Sequence, residues 1–156
     1  MTATSSKTKR QTQDATAMLM ADHKEVKALF EEFEKAESKQ QKAELVAKIC
    51  QELEVHMQIE EEIFYPAVKA ALKDHELVPE GEVEHASVKD LIAQVKGVKP
   101  DGDTYDARVK VMGELIEHHV KDEETEMFPK AKKTKLDMEA LGAKMAKRKE
   151  ELSAEA

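Results

Sequence analysis

Four stretches of the chain repeat apolar residues at helical spacing, and in each the apolar face is interrupted by a histidine: His23, His56, His85 and His119. Two of those faces also carry a glutamate one turn further on, Glu60 after His56 and Glu123 after His119. Residues i and i+4 share a helix face, so each pair presents one nitrogen and one oxygen to the same space. Burying a glutamate is costly unless it is paired or bound to a cation. Four imidazoles and two carboxylates form a mixed nitrogen and oxygen donor set that suits Fe, Mn or Zn better than Ca or Mg, with no thiolate for an iron–sulfur cluster. Six donors shared by two ions leave coordination positions open for water, a bridging oxygen, O2, peroxide or nitric oxide.

The donors recur in an internal repeat. His56-Met57-Gln58-Ile59-Glu60-Glu61 is matched by His119-Val120-Lys121-Asp122-Glu123-Glu124, and each histidine stands ten residues before a proline, Pro66 or Pro129. His23-Lys24-Glu25-Val26-Lys27-Ala28-Leu29 and His85-Ala86-Ser87-Val88-Lys89-Asp90-Leu91 share His-x-x-Val-Lys-x-Leu. The chain reads as two related helical hairpins, each giving one lone histidine and one His-x-x-x-Glu pair.

The elements that must position these residues follow from periodicity. Asp14 is placed to cap a first helix running to about Ser38, with Leu19, His23, Val26, Phe30 and Phe33 on one face. A second carries Leu45, Ile49, Leu53, His56, Glu60 and Ile63, with a kink expected at Pro66 and an end near Leu72. Residues 74–82, with Pro79 and Gly81, read as a connection before a third helix through His85, Val88, Ile92 and Val95. Lys99-Pro100-Asp101-Gly102-Asp103 is a turn. A fourth helix aligns Tyr105, Val109, Met112, Ile116, His119, Glu123 and Met127. The expected fold is all-α, an antiparallel up-down four-helix bundle over residues 14–131. It is preceded by a disordered arm, 1–13, and followed by a short accessory C-terminal helix and tail, 132–156.

Composition agrees with an all-helical chain. Of 156 residues 37% are charged and 4% aromatic, with no Trp, five Gly and four Pro, which disfavours a turn-rich sandwich or barrel. A net charge of −8 argues against nucleic acid as a partner and for cations. The first 16 residues have no apolar core and read as no secretory signal. No apolar run approaches membrane length. The single Cys50 fits a reducing compartment, so the expected location is cytoplasmic, and Cys50 reads as a buried small hydrophobe.

Taken in order, Asp22-His23-Lys24-Glu25-Val26, His56-x-x-x-Glu60-Glu-Glu-Ile-Phe-Tyr-Pro66, Glu84-His85-x-x-Val-Lys89 and His119-x-x-x-Glu123-Glu-x-Glu-x-Phe-Pro129 resemble the hemerythrin-like HHE cation-binding family of bacterial type. The resemblance covers roughly residues 14–131 and implies a non-haem di-iron centre. Its two Fe ions would be bridged by two carboxylates and an oxo or hydroxo group. It implies His23, His56, Glu60, His85, His119 and Glu123 as metal ligands. Oxygen carriers of the family have a second histidine one turn further along the third helix; here Lys89 stands there, which counts against reversible oxygen carriage. Their last pair is spaced by five residues, which His118 and Glu123 also satisfy, although the internal repeat favours His119.

The other polar and aromatic residues have plainer readings. Glu61, Glu62, Glu124 and Glu126 read as solvated helix faces, with Glu61 and Glu124 as lesser candidates for accepting ligand N–H groups. Tyr65 reads first as a boundary residue, with a hydrogen bond near the site or electron donation as the lesser reading; His75 reads as surface, and Met57, Met112 and Met127 as packing before the walls of a small dry cavity. The expected function is to bind or react with O2, peroxide or nitric oxide. The alternatives are a zinc or manganese bundle of structural or regulatory type, or iron storage and delivery. Enzyme, store and sensor stay open readings, because no general base or substrate pocket stands out.

Overall fold

The computed structural model describes residues 13–155, so the expected N-terminal arm, Gln13 apart, lies outside the described residues. All regular structure among these residues is helical: α1 Ala15–Lys35, α2 Lys39–Ile59, a π turn Glu60–Phe64, α3 Tyr65–Leu72, α4 Leu77–Val95, α5 Asp103–Asp122, a second π turn Glu123–Met127, α6 Phe128–Lys132 and α7 Met138–Glu155. The π turns join α2 to α3 and α5 to α6 without leaving helical backbone, so four rods form the bundle and α7 is a fifth. The rods close a ring in which α1 packs on α2, α2 on α4, α4 on α5 and α5 on α1. Short connections make successive rods antiparallel.

Local chemistry sets the rod ends. Asp14 caps α1, its Oδ1 accepting from the Ala17 amide at 2.8 Å, as expected. Ser38 does the same for α2 through Gln41 at 3.1 Å. The expected connection over 74–82 is shorter than the spacing suggested, because α4 begins at Leu77. Pro79 sits in its first turn, where a missing N–H costs nothing, and Asp74 accepts from the amides of Leu77 and Val78 at 3.1 and 2.7 Å. Gly102, at φ 108°, makes the turn that starts α5.

Just before Pro66, where a kink was expected, the helix widens into a π turn. Pro66 has no N–H to give the Glu62 carbonyl. The Tyr65 amide reaches five residues back to the Glu60 carbonyl, and Phe128 reaches Glu123 in the same way before Pro129. The π turns thus begin at Glu60 and Glu123, the two candidate donor glutamates.

The core has two apolar clusters. One gathers Val26, Phe33, Ile49, Leu53, Val88 and Met112; the other gathers Leu19, Ile59, Phe64, Val68, Phe128 and Met145. Met145 and Leu152 bring α7 into the second, and α7 packs on both α1 and α2. Buried with these clusters are eight polar or charged residues: Thr16, Asp22, His23, His56, Glu60, His85, His119 and Glu123. Among the described residues, no helix is long and apolar enough to cross a membrane.

Candidate metal centre

All six candidate ligands converge inside the bundle. They form two overlapping groups, His23, His56, Glu60 and Glu123, and Glu60, His85, His119 and Glu123, within each of which one donor atom per residue lies within 4.8 Å of the others. Glu60 and Glu123 belong to both groups. They are 0% and 1% exposed, so neither carboxylate is compensated by water. His118 stays outside both groups: its side chain is 67% exposed, and it pairs with Asp122 at 3.2 Å.

The first group contains four buried atoms that have no hydrogen-bond partner among the described residues: His23 Nε2, His56 Nε2, Glu60 Oε2 and Glu123 Oε1. His23 Nε2 comes within 3.1 Å of Glu123 Oε1, but without the alignment of a hydrogen bond. Each unsatisfied buried polar atom costs on the order of 1–3 kcal/mol, so four in one place are a heavy burden on a small domain. A cation contacting all four removes that burden, and the donors therefore fit a metal. In the second group His85 Nε2 and His119 Nε2 are 3.2 Å apart, and His85 Nε2 is 3.0 Å from Glu60 Oε1.

Each imidazole is oriented from behind. The Nδ1 atom of His23 donates to Glu124 at 2.8 Å, that of His56 to Asp22 at 3.0 Å, that of His85 to Glu61 at 2.8 Å and that of His119 to Glu84 at 2.7 Å. A carboxylate only accepts, so every Nδ1 carries the proton and every Nε2 faces the shared glutamates. The pairing obeys the internal repeat. The acid preceding each lone histidine, Asp22 or Glu84, serves the histidine of a His-x-x-x-Glu pair. The acid following Glu60 or Glu123, namely Glu61 or Glu124, serves a lone histidine. Glu61 and Glu124 are therefore bonded groups with side chains 31% exposed, not the solvated faces expected of them. The signal in the sequence was an acid directly before each lone histidine and directly after Glu60 and Glu123.

Tyr65 is the residue that sequence reasoning undervalued. It is 2% exposed rather than a boundary residue. Its hydroxyl donates to Glu123 Oε2 at 2.6 Å and lies 3.2 Å from His119 Nε2, 3.3 Å from His85 Nε2 and 3.4 Å from Glu60 Oε1. The π turn explains its arrival. In a regular α-helix a residue five positions after Glu60 is rotated about 140° away, whereas an i→i+5 turn sets it over Glu60. Gly81 leaves room for it, since a Cβ there would stand 2.9 Å from the hydroxyl.

With no cation bound, the electrostatics follow from crowding. Burial works against charge on His56, but Glu60 and Asp22 outweigh it and raise its pKa to about 10. For His119 burial is likewise outweighed, by Glu123 and Glu60, and the value rises to about 12. Burial would lift the Glu60 carboxyl, yet the charge on His56 foremost holds it well below its ordinary value. Burial and the charges of Glu60 and Glu123 push the Tyr65 phenol far up, so it remains a donor.

The sequence and the fold have counterparts in known proteins. The model of the hemerythrin HHE cation-binding domain matches residues 14–131. A crystal structure of a hemerythrin HHE cation-binding domain-containing protein from Mycobacterium kansasii superposes with a TM-score of 0.77 at 27% identity, covering 91% of this chain and 88% of that one. An uncharacterized protein of Mycobacterium tuberculosis is 33% identical over 104 residues, 65% of this chain and 63% of its own length. A protein of Nostoc sp. named DNA nickase is 29% identical over 111 residues, 71% of this chain but 31% of that protein. The chain thus spans less than two thirds of the length of these curated relatives. With a family match over most of its residues and a buried histidine and glutamate set able to hold metal, the chain belongs to the hemerythrin HHE cation-binding domain family.

Proposed function

We propose that the chain holds a pair of iron ions and binds or reacts there with O2, peroxide or nitric oxide. One observation carries this reading: Glu60 and Glu123 are common to both donor groups, so one carboxylate pair is placed to serve two cations. His23 and His56 would complete one position and His85 and His119 the other, with the Tyr65 hydroxyl beside the second. An iron pair supplies one-electron redox chemistry and open positions for a diatomic molecule or peroxide.

The chain's own residues set what can reach the site. The four histidines border a cavity of about 10 Å³ walled by Val26, Leu53, Met57, Ile116 and Val120. That is room for one water-sized molecule, so small diatomics fit and bulky substrates do not. Lys89 points outward to Glu61 at 2.8 Å and brings no donor to the site, which favours reaction or sensing over reversible oxygen carriage. Asp22, Glu61, Glu84 and Glu124 hold the Nδ1 protons, and Tyr65 holds a proton at its oxygen against Glu123.

The test is anaerobic loading with ferrous iron, metal analysis, and the visible spectrum before and after admission of air. Two iron ions per chain and a new visible band on oxidation are expected. A protein that takes up zinc or manganese in preference and stays colourless overturns the iron reading in favour of a structural or regulatory site. Peroxide consumption by the loaded protein then separates an enzyme from a store or sensor.

A further inference from the structure

The C-terminal helix α7 reaches the donor cluster from outside the four-rod bundle. Lys149 Nζ contacts Asp22 Oδ1 at 2.6 Å, while the other oxygen of the same carboxylate, Oδ2, accepts from His56 Nδ1 at 3.0 Å. Asp22 is thereby shared between a lysine at the surface and an imidazole in the core; its side chain is 10% exposed and that of Lys149 38%. Next along the helix, Arg148 grips both oxygens of Glu62, at 2.8 and 3.3 Å, inside the π turn that begins at Glu60. The helix is held close at its other end, where a Cβ on Gly142 would lie 2.6 Å from the Gln13 carbonyl oxygen.

We propose that Lys149 is a positioning residue of the metal centre, acting through Asp22 on His56, so that α7 is part of the site. This inference rests on the metal-binding reading above. Lys149 keeps the nearly buried Asp22 carboxylate paired, fixing the Nδ1–H bond of His56 and with it the direction of Nε2. Lys149 touches one half only. Glu84, which corresponds to Asp22 in the other half, has no lysine in this role among the described residues; its second oxygen faces the exposed His118 at 3.6 Å. The lysine of the second group is Lys89, which contacts Glu61 behind His85. Lys149 therefore supports the His23 and His56 position and leaves the His85 and His119 position alone.

The experiment is an anaerobic titration of the full-length chain with cobalt(II) against a competing chelator, reading two affinities and the visible cobalt bands. Circular dichroism establishes that each variant is folded. Lys149→Met is expected to weaken one of the two affinities by about tenfold, the low end for groups that orient a ligand. Lys149→Arg should restore it. Asp22→Asn with Lys149→Met should bind no more weakly than Asp22→Asn alone, because Lys149 acts through Asp22. The inference is overturned if Lys149→Met leaves both affinities unchanged, tightens either, weakens both alike, or adds its full effect to that of Asp22→Asn, or if Lys149→Arg fails to restore binding. Failure of the wild-type chain to bind cobalt(II) would instead sink the metal reading itself.

Discussion

Tyr65 and Phe128 occupy matching places in the two halves of the bundle, five residues after Glu60 and Glu123 respectively and each beside the lone histidine of one hairpin. The Tyr65 ring lies 5.2 Å from His85 at 23°, and the Phe128 ring 6.0 Å from His23 at 7°. One hydroxyl separates them. It closes the second donor group with hydrogen bonds, whereas the first keeps four buried atoms without partners.

Tyr65→Phe should retain the ring contact and remove the donor to Glu123. A hydrogen bond to a charged group contributes about 1.5–3 kcal/mol, so the metal-free protein should lose about 2 kcal/mol of stability in chemical denaturation. Gly81→Ala should act in the same direction by crowding the hydroxyl. Unchanged midpoints for both variants would refute the assignment.

Metal stoichiometry should separate shared from unshared donors. Glu60 belongs to both groups, so Glu60→Ala should lose both ions. His23→Ala should retain one. Counting bound metal after desalting decides this, and two ions retained by Glu60→Ala would rule out a shared carboxylate.

Cation uptake should release protons. With no cation bound, His56 and His119 titrate near 10 and 12, above their ordinary 6.5, so both are charged at neutral pH. Their contribution to the metal-free fold is complete below 6.5 and is lost as pH rises through those higher values. A metal must displace these protons, so affinity should climb from about pH 6 to about pH 8 and an indicator dye should report acid released on binding. Binding that is flat over that range, with no acid released, contradicts the assignment.

Asp74→Ala should destabilise the start of α4. Against the effect of burial, the amides of Val78, Leu77 and Glu76 hold the Asp74 carboxyl below its ordinary 3.8. The cap therefore contributes fully above that value and is lost as pH falls beneath it. Denaturation at neutral pH should show a deficit of about 1 kcal/mol, shrinking in acid. An equal deficit at both pH values would mean that the charge is not responsible.

Binding of a transition metal to the folded state alone should raise the melting temperature in a concentration-dependent way. Calorimetry with and without cobalt(II) checks this, and a melting temperature indifferent to the metal contradicts a buried site.

The rods and the six candidate donors were legible in the sequence because the periodicity of a helix is local. His56 with Glu60, and His119 with Glu123, share a face by spacing alone, and the repeat aligned the two hairpins before any contact was known. The start of α4 was misplaced because proline is harmless in a first helical turn, and the helix widens into a π turn before Pro66 because an i→i+5 bond bypasses the missing amide.

Sequence by itself determined the six candidate donors and that they come in two related sets, since residue type and helical phase are written residue by residue. Tertiary structure alone decided which carboxylate backs which imidazole, that Tyr65 turns inward, and that Lys149 meets Asp22 across 127 positions of chain. Those pairings depend on how the rods are rotated against one another, and a change of phase within a single turn, as at Glu60–Phe64, moves a side chain from one face to another.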